Sequence, residues 1–80
     1  MQKDNLTAYH AVVVWAWKYF KKYYLEYDAD KALTELLEYV HKFEKESRLH
    51  EFAFRMCKVA WDEAGQLHEM RLQNERNETN

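Results

Sequence analysis

The sequence predicts an all-α fold, a three-helix bundle in one domain, and three observations carry the prediction. The 80 residues include no proline and a single glycine, Gly65, so the punctuation that hairpins and sandwiches need is missing. Apolar side chains recur at steps of three and four rather than two. The composition, 48% hydrophobic and 16% aromatic against 32% charged, is that of a globular chain rather than a disordered one. A chain of this length buries only ~60% of the surface its unfolded form exposes, so its core must be thin.

The first helix is predicted over residues 5–27 and contains the most apolar stretch, "AVVVWAWKYF" from Ala11 to Phe20. A membrane span would need ~20 apolar residues, and Lys18, Lys21 and Lys22 interrupt this run. Val12, Val13, Val14, Trp15 and Trp17 favour a strand by propensity. Periodicity decides for a helix, because Leu6, Tyr9, Val13, Ala16 with Trp17, Phe20, Tyr24 and Tyr27 fall on one stripe at about 100° per residue. Asp4 or Asn5 can cap its start. On this wheel Ala8, Ala11, Trp15 and Tyr19 lie on the far side, among Lys18, Lys22 and Glu26. Either the helix is sandwiched between two others, or it presents an aromatic patch to a partner.

A second helix is predicted over residues 29–46. Asp28 and Asp30 are its candidate N-caps, and Ala29, Leu33, Leu36, Val40 and Phe43 form its apolar stripe, widened by Ala32 and Leu37. Glu38 and Lys42 stand four apart in the favourable order. Neither glycine nor proline marks the boundary with the first helix, so one bent helix is an alternative. Ser47 is the expected cap of a third helix over residues 48–72. Ala53, Cys57, Ala60 and Ala64 give it a ridge of small side chains that lets another helix approach closely. Leu49, Phe52, Met56 and Val59 line one flank of that ridge, and Phe54, Trp61 and Leu72 the other. Gly65 falls on the polar side, where it weakens the helix by ~1 kcal/mol relative to alanine and can mark a kink or an early end. Residues 1–72 thus form the single domain, and the polar residues 73–80 are expected to be a frayed tail.

Chemistry is sparse. His50, Cys57 and His68 share one edge of the third helix, but spacings of seven and eleven residues separate them by roughly 10 and 16 Å. One zinc ion holds its ligands at ~2 Å, so no metal site is expected. "HEFAF" and "HEMRL" lack the second histidine of a metalloprotease helix. Cys57 has alanines for stripe neighbours and no base beside it, the setting of a buried structural thiol. One glycine cannot build a phosphate-binding loop. No catalytic set, cofactor or metal is therefore predicted, and the chain is not expected to be an enzyme.

The remaining signal is surplus apolar helix surface. The leading expectation is a small interaction module that binds a protein partner stoichiometrically, as an inhibitor or regulator of a larger protein. Compact anti-defence proteins of phages and mobile elements, such as anti-CRISPRs, are one class of that size. The residues expected to meet the partner are Trp15, Lys18, Tyr19, Lys22, Phe54 and Trp61. A second expectation is self-assembly, with a homodimer completing the bundle as a structural or scaffold unit. A third is a nucleic-acid regulator using Lys18 to Tyr24, where bases and aromatics alternate. A net charge of -2 speaks against that third reading. One cysteine cannot form an internal disulfide, and with no secretory leader a cytoplasmic location is expected, away from membranes.

Overall fold

A computed structural model describes the backbone of residues 2–79 and the side chains of residues 6–76. Three helices follow in order: α1, Gln2–Leu25; α2, Ala29–Val40; α3, Arg48–Thr79. No strand occurs among the described residues. The all-α, three-helix architecture is the one predicted.

Cross-contacts fix the topology. Tyr9 meets Phe52, and Arg71 sits over the Tyr24 ring, so α1 and α3 run parallel. Trp15 stacks on Tyr39 while Lys22 reaches back to Glu35, so α2 runs antiparallel to both. The main packing is α1 on α3, with α2 against α3. The radius of gyration is 15.2 Å and the long axis 58 Å. About 12 Å is usual for a compact domain of this length, so the molecule is elongated along its parallel pair.

The caps are those the sequence offers. Asp28 takes an extended conformation and its Oδ1 accepts the Lys31 backbone N–H at 3.1 Å. That separates α2 from α1 and removes the single bent helix. Ser47 Oγ accepts the His50 N–H at 3.0 Å and donates to the Glu44 carbonyl at 2.6 Å. Other boundaries need correction. The first helix is already formed at Gln2, which places Asp4 and Asn5 inside it rather than at its cap; their side chains lie outside those described. It ends at Leu25 because the chain must extend through Asp28. The second helix ends at Val40 rather than residue 46. Backbone bonds from Lys42 to Tyr39 and from Phe43 to Val40 tighten its end, and Phe43 turns back edge-on to Tyr39 at 5.3 Å. Helix-favouring Glu and Lys there yield to the need to reverse into α3, so Lys42 lies past the helix and outside an i,i+4 pair with Glu38. Glu46 closes the reversal with φ 67°. The third helix passes residue 72 and continues to Thr79, carried by the helix-favouring Gln, Glu and Arg of a segment with no apolar face to bury. It also runs unbroken through Gly65. That glycine is half-buried beside Tyr27: a β-carbon there would stand 3.1 Å from Tyr27 Oη, so it makes room for the Tyr27 ring.

The core is Val12, Ala16, Tyr19 and Tyr23 from α1, Ala32, Leu36 and Val40 from α2, and Ala53, Cys57, Ala60 and Ala64 from α3. The small ridge of α3 is buried as predicted. The face α1 turns toward it is not the predicted one. The observed stripe is rotated by roughly 110° from the stripe through Val13, Trp17 and Tyr24, and Tyr19, expected on the far side, is 3% exposed. Volume explains the choice. A ridge of alanines and a cysteine leaves space that large flat rings fill, and close packing leaves little room for voids. Tyr19 satisfies its hydroxyl by donating to the Ala32 carbonyl at 2.6 Å, which permits a polar tip inside.

Candidate partner-binding surface

The structure brings four of the six predicted contact residues together. Trp15, Lys18, Tyr19 and Lys22 line a groove of about 180 Å³ with Glu35 of α2. Most of that chemistry is spent within the chain. Trp15 lies flat on Tyr39, centroids 3.8 Å apart and planes within 2°, and stacks on Tyr19 at 5.0 Å. Lys22 Nζ donates to Glu35 at 2.8 Å, which raises the lysine pKa. Burial raises the Tyr19 and Tyr23 hydroxyls as well, so both stay protonated near neutrality. The predicted patch is thus mainly the α1–α2 seam, and Tyr19 belongs to the core. Phe54 and Trp61 sit apart from it on α3. Phe54 is exposed, whereas Trp61 is half-buried against the core, its indole N–H enclosed without a partner.

The surplus surface lies on the other flank of α1. At 100° per residue Leu6, Val13, Trp17, Phe20 and Tyr24 fall within about 60° of one another, opposite the flank that carries Trp15 and Lys22 to α2. Leu6 is 72% exposed and Trp17 57%, and Leu25 beyond them 74%. Trp17, Phe20, Lys21, Tyr24 and Leu25 line an apolar groove of about 370 Å³. Phe20 stacks between Trp17 and Tyr24, at 6.1 and 5.9 Å, and the Lys21 ammonium lies 5.5 Å from the Trp17 ring centre. On α3 the matching flank carries Phe52, Met56, Val59, Glu63 and Met70, again within about 60°, with Val59 67% and Met70 57% exposed. The Tyr9–Phe52 contact at 4.7 Å ties the two flanks into one face. Two parallel helices therefore present a long apolar face on the side away from α2.

Sequence reasoning recognised this stripe but assigned it to the core. The missed signal is the pairing of Tyr19 and Tyr23 with the small ridge of α3, which only a two-helix comparison of side-chain volumes would have shown. Within Lys18 to Tyr24 the exposed residues are correspondingly Lys18, Lys21, Lys22 and Tyr24, not Tyr19 and Tyr23, and Lys22 is engaged by Glu35.

Cys57 is wholly buried, and burial pushes its thiol up to about 11, the opposite of an activated nucleophile. Among the described residues no three His, Cys, Asp or Glu side chains cluster as metal ligands. No described helix is long and apolar enough to cross a membrane. No known protein family, curated protein or solved structure matches the chain.

Proposed function

We propose that this protein is a small non-catalytic interaction module that acts by stoichiometric binding, regulating or inhibiting a larger protein whose surface it covers. The observation that supports the reading is the uncovered apolar face of α1 and α3, centred on Trp17. Exposed contiguous apolar surface of this kind marks contact sites, and Trp and Tyr dominate the residues that carry binding energy. An apolar face carried by two parallel helices, grooved along α1 beside Trp17, suits an amphipathic helix of the target, laid along it as a further member of the bundle. The buried free thiol of Cys57 suits a reducing compartment such as the cytoplasm.

The test is capture by immobilised protein from a cytoplasmic extract of the source cell. Wild type is compared with Trp17→Glu and with Leu37→Glu, a control on the exposed surface of α2. A protein retained in stoichiometric amount by wild type and Leu37→Glu, and lost by Trp17→Glu, supports the reading. Equal retention by all three proteins removes the α1–α3 face as the contact surface.

A further inference from the structure

We propose that the α1–α3 face is closed by a second copy of this chain, related by a two-fold axis that runs along the helices. The inference rests on the reading that this face is a contact surface, and it names the occupant. Area is the first argument. Leu6, Val13, Trp17, Tyr24, Val59 and Met70 leave between 41% and 72% of their surfaces exposed. At about 150–250 Å² for each aromatic side chain and somewhat less for each aliphatic one, this is roughly 600 Å² per protomer. A standard interface takes ~800 Å² from each partner, and the rim residues supply the difference.

Charge gives the second argument and selects the geometry. No Asp or Glu occurs from Asn5 to Leu25, whereas Lys18, Lys21 and Lys22 do. Lys21 edges the apolar stripe on α1, and Glu63 stands within the matching flank of α3. Among the described residues neither is in an ion pair. The Tyr9–Phe52, Tyr24–Arg71 and Tyr27–His68 contacts place residues 41 to 47 apart at one height along the pair, so Lys21 and Glu63, 42 apart in the sequence, stand within about one helical turn of the same level. A copy turned by 180° about an axis parallel to the helices lays its α3 over the first copy's α1. Lys21 then meets Glu63 of the second copy, twice per dimer, and apolar stripe covers apolar stripe. An axis across the helices would instead set α1 on α1, basic rim against basic rim. The contact is isologous and closes at two copies. A target using the same groove then competes with the second copy.

The experiment is sedimentation equilibrium over a wide concentration range, with far-UV circular dichroism to confirm folding. Wild type is expected to shift from monomer to dimer and stop there. Trp17→Glu is expected to remain a folded monomer. Lys21→Glu and Glu63→Lys each place like charges at both Lys21–Glu63 contacts and should weaken dimerisation about tenfold. Their equimolar mixture rebuilds both pairs and should recover wild-type association. Lys21 and Glu63 are both exposed, so these variants stay informative even if Trp17→Glu fails to fold. A wild type that is monomeric throughout overturns the inference. So does a dimer that Trp17→Glu leaves intact, and a mixture no tighter than its components. A monomeric wild type that still captures a protein through Trp17 would reject the second copy while keeping the functional reading.

Discussion

Replacing Tyr19 and Trp17 separately by alanine tests the rotation of α1, on which every statement about its outer face depends. Tyr19 is 3% exposed and Trp17 57%. The Tyr19 ring packs against Trp15 and Tyr23 and its hydroxyl donates to the Ala32 carbonyl. Truncating a buried aromatic costs about 3–5 kcal/mol through lost transfer energy and the cavity left behind. A chain of 80 residues has roughly 4–12 kcal/mol of total stability, so Tyr19→Ala should consume a large share of it. Trp17→Ala removes a ring more than half in water and should cost no more than about 1 kcal/mol. Tyr19→Phe isolates the hydroxyl, and one buried hydrogen bond is worth about 0.5–1.5 kcal/mol net. Urea unfolding followed by far-UV circular dichroism reads all three. It should be run at low protein concentration, so that association does not add to the stability of wild type. A slope near 1 kcal/mol per molar would put the midpoint of Tyr19→Ala several molar below that of Trp17→Ala. A Trp17→Ala variant as destabilised as Tyr19→Ala would mean that α1 turns its other face to α3.

Other perturbations probe the turns and the core thiol. Glu46 holds φ 67°, which costs an L-residue about 1–2 kcal/mol; glycine removes that cost but loses 0.5–1 kcal/mol in chain entropy. Glu46→Gly should therefore stabilise by about 0.5–1 kcal/mol, visible as a thermal midpoint a few degrees higher, and a lower midpoint would refute the strain. Asp28→Ala and Ser47→Ala each lose a side-chain cap and should cost about 1 kcal/mol. The double variant should show their sum, since the caps share no partner. Cys57 supplies a pH dependence. Its folded pKa of about 11 lies above the model-peptide value of 9.0, so the unfolded chain loses the proton first. Stability should fall as pH rises from 9.0 to about 11, by up to about 2 kcal/mol from this group. Cys57→Ala should show a shallower alkaline fall in urea midpoint than wild type, and equal slopes would show that the thiol ionises freely in the folded state.

What the sequence made legible was local chemistry. Asp28 and Ser47 cap the helices because a short oxygen-bearing side chain beside an apolar repeat has few better uses, and that is visible in one dimension. The Ala53–Cys57–Ala60–Ala64 ridge was equally plain, since four small residues at helical spacing admit one reading. The orientation of α1 was not. Its Val13–Trp17–Tyr24 stripe and its Val12–Ala16–Tyr19–Tyr23 stripe are both apolar enough to be a core, and hydrophobicity does not rank them. The ranking comes from the volume that the α3 ridge leaves open, a property of two helices together. The same difficulty displaced the candidate contact residues. Trp15 and Lys22 looked surplus until α2 supplied Tyr39 and Glu35, whereas Trp17 looked buried until no helix covered it. The extents of α2 and α3 were set by the reversal at Phe43 and by a solvated extension that needs no apolar face.

The parallel course of α1 and α3 has a consequence for how the molecule joins anything attached to it. Most domains bring their two ends close together. Here an up, down, up path leaves Gln2 and Thr79 at opposite ends of a body 58 Å long. Joining them to make a circular permutant would need a bridge of roughly 16 to 18 residues even at full extension, near 3.3–3.6 Å per residue. Fused between two other domains, the same chain would act as a strut, holding them apart by most of its length.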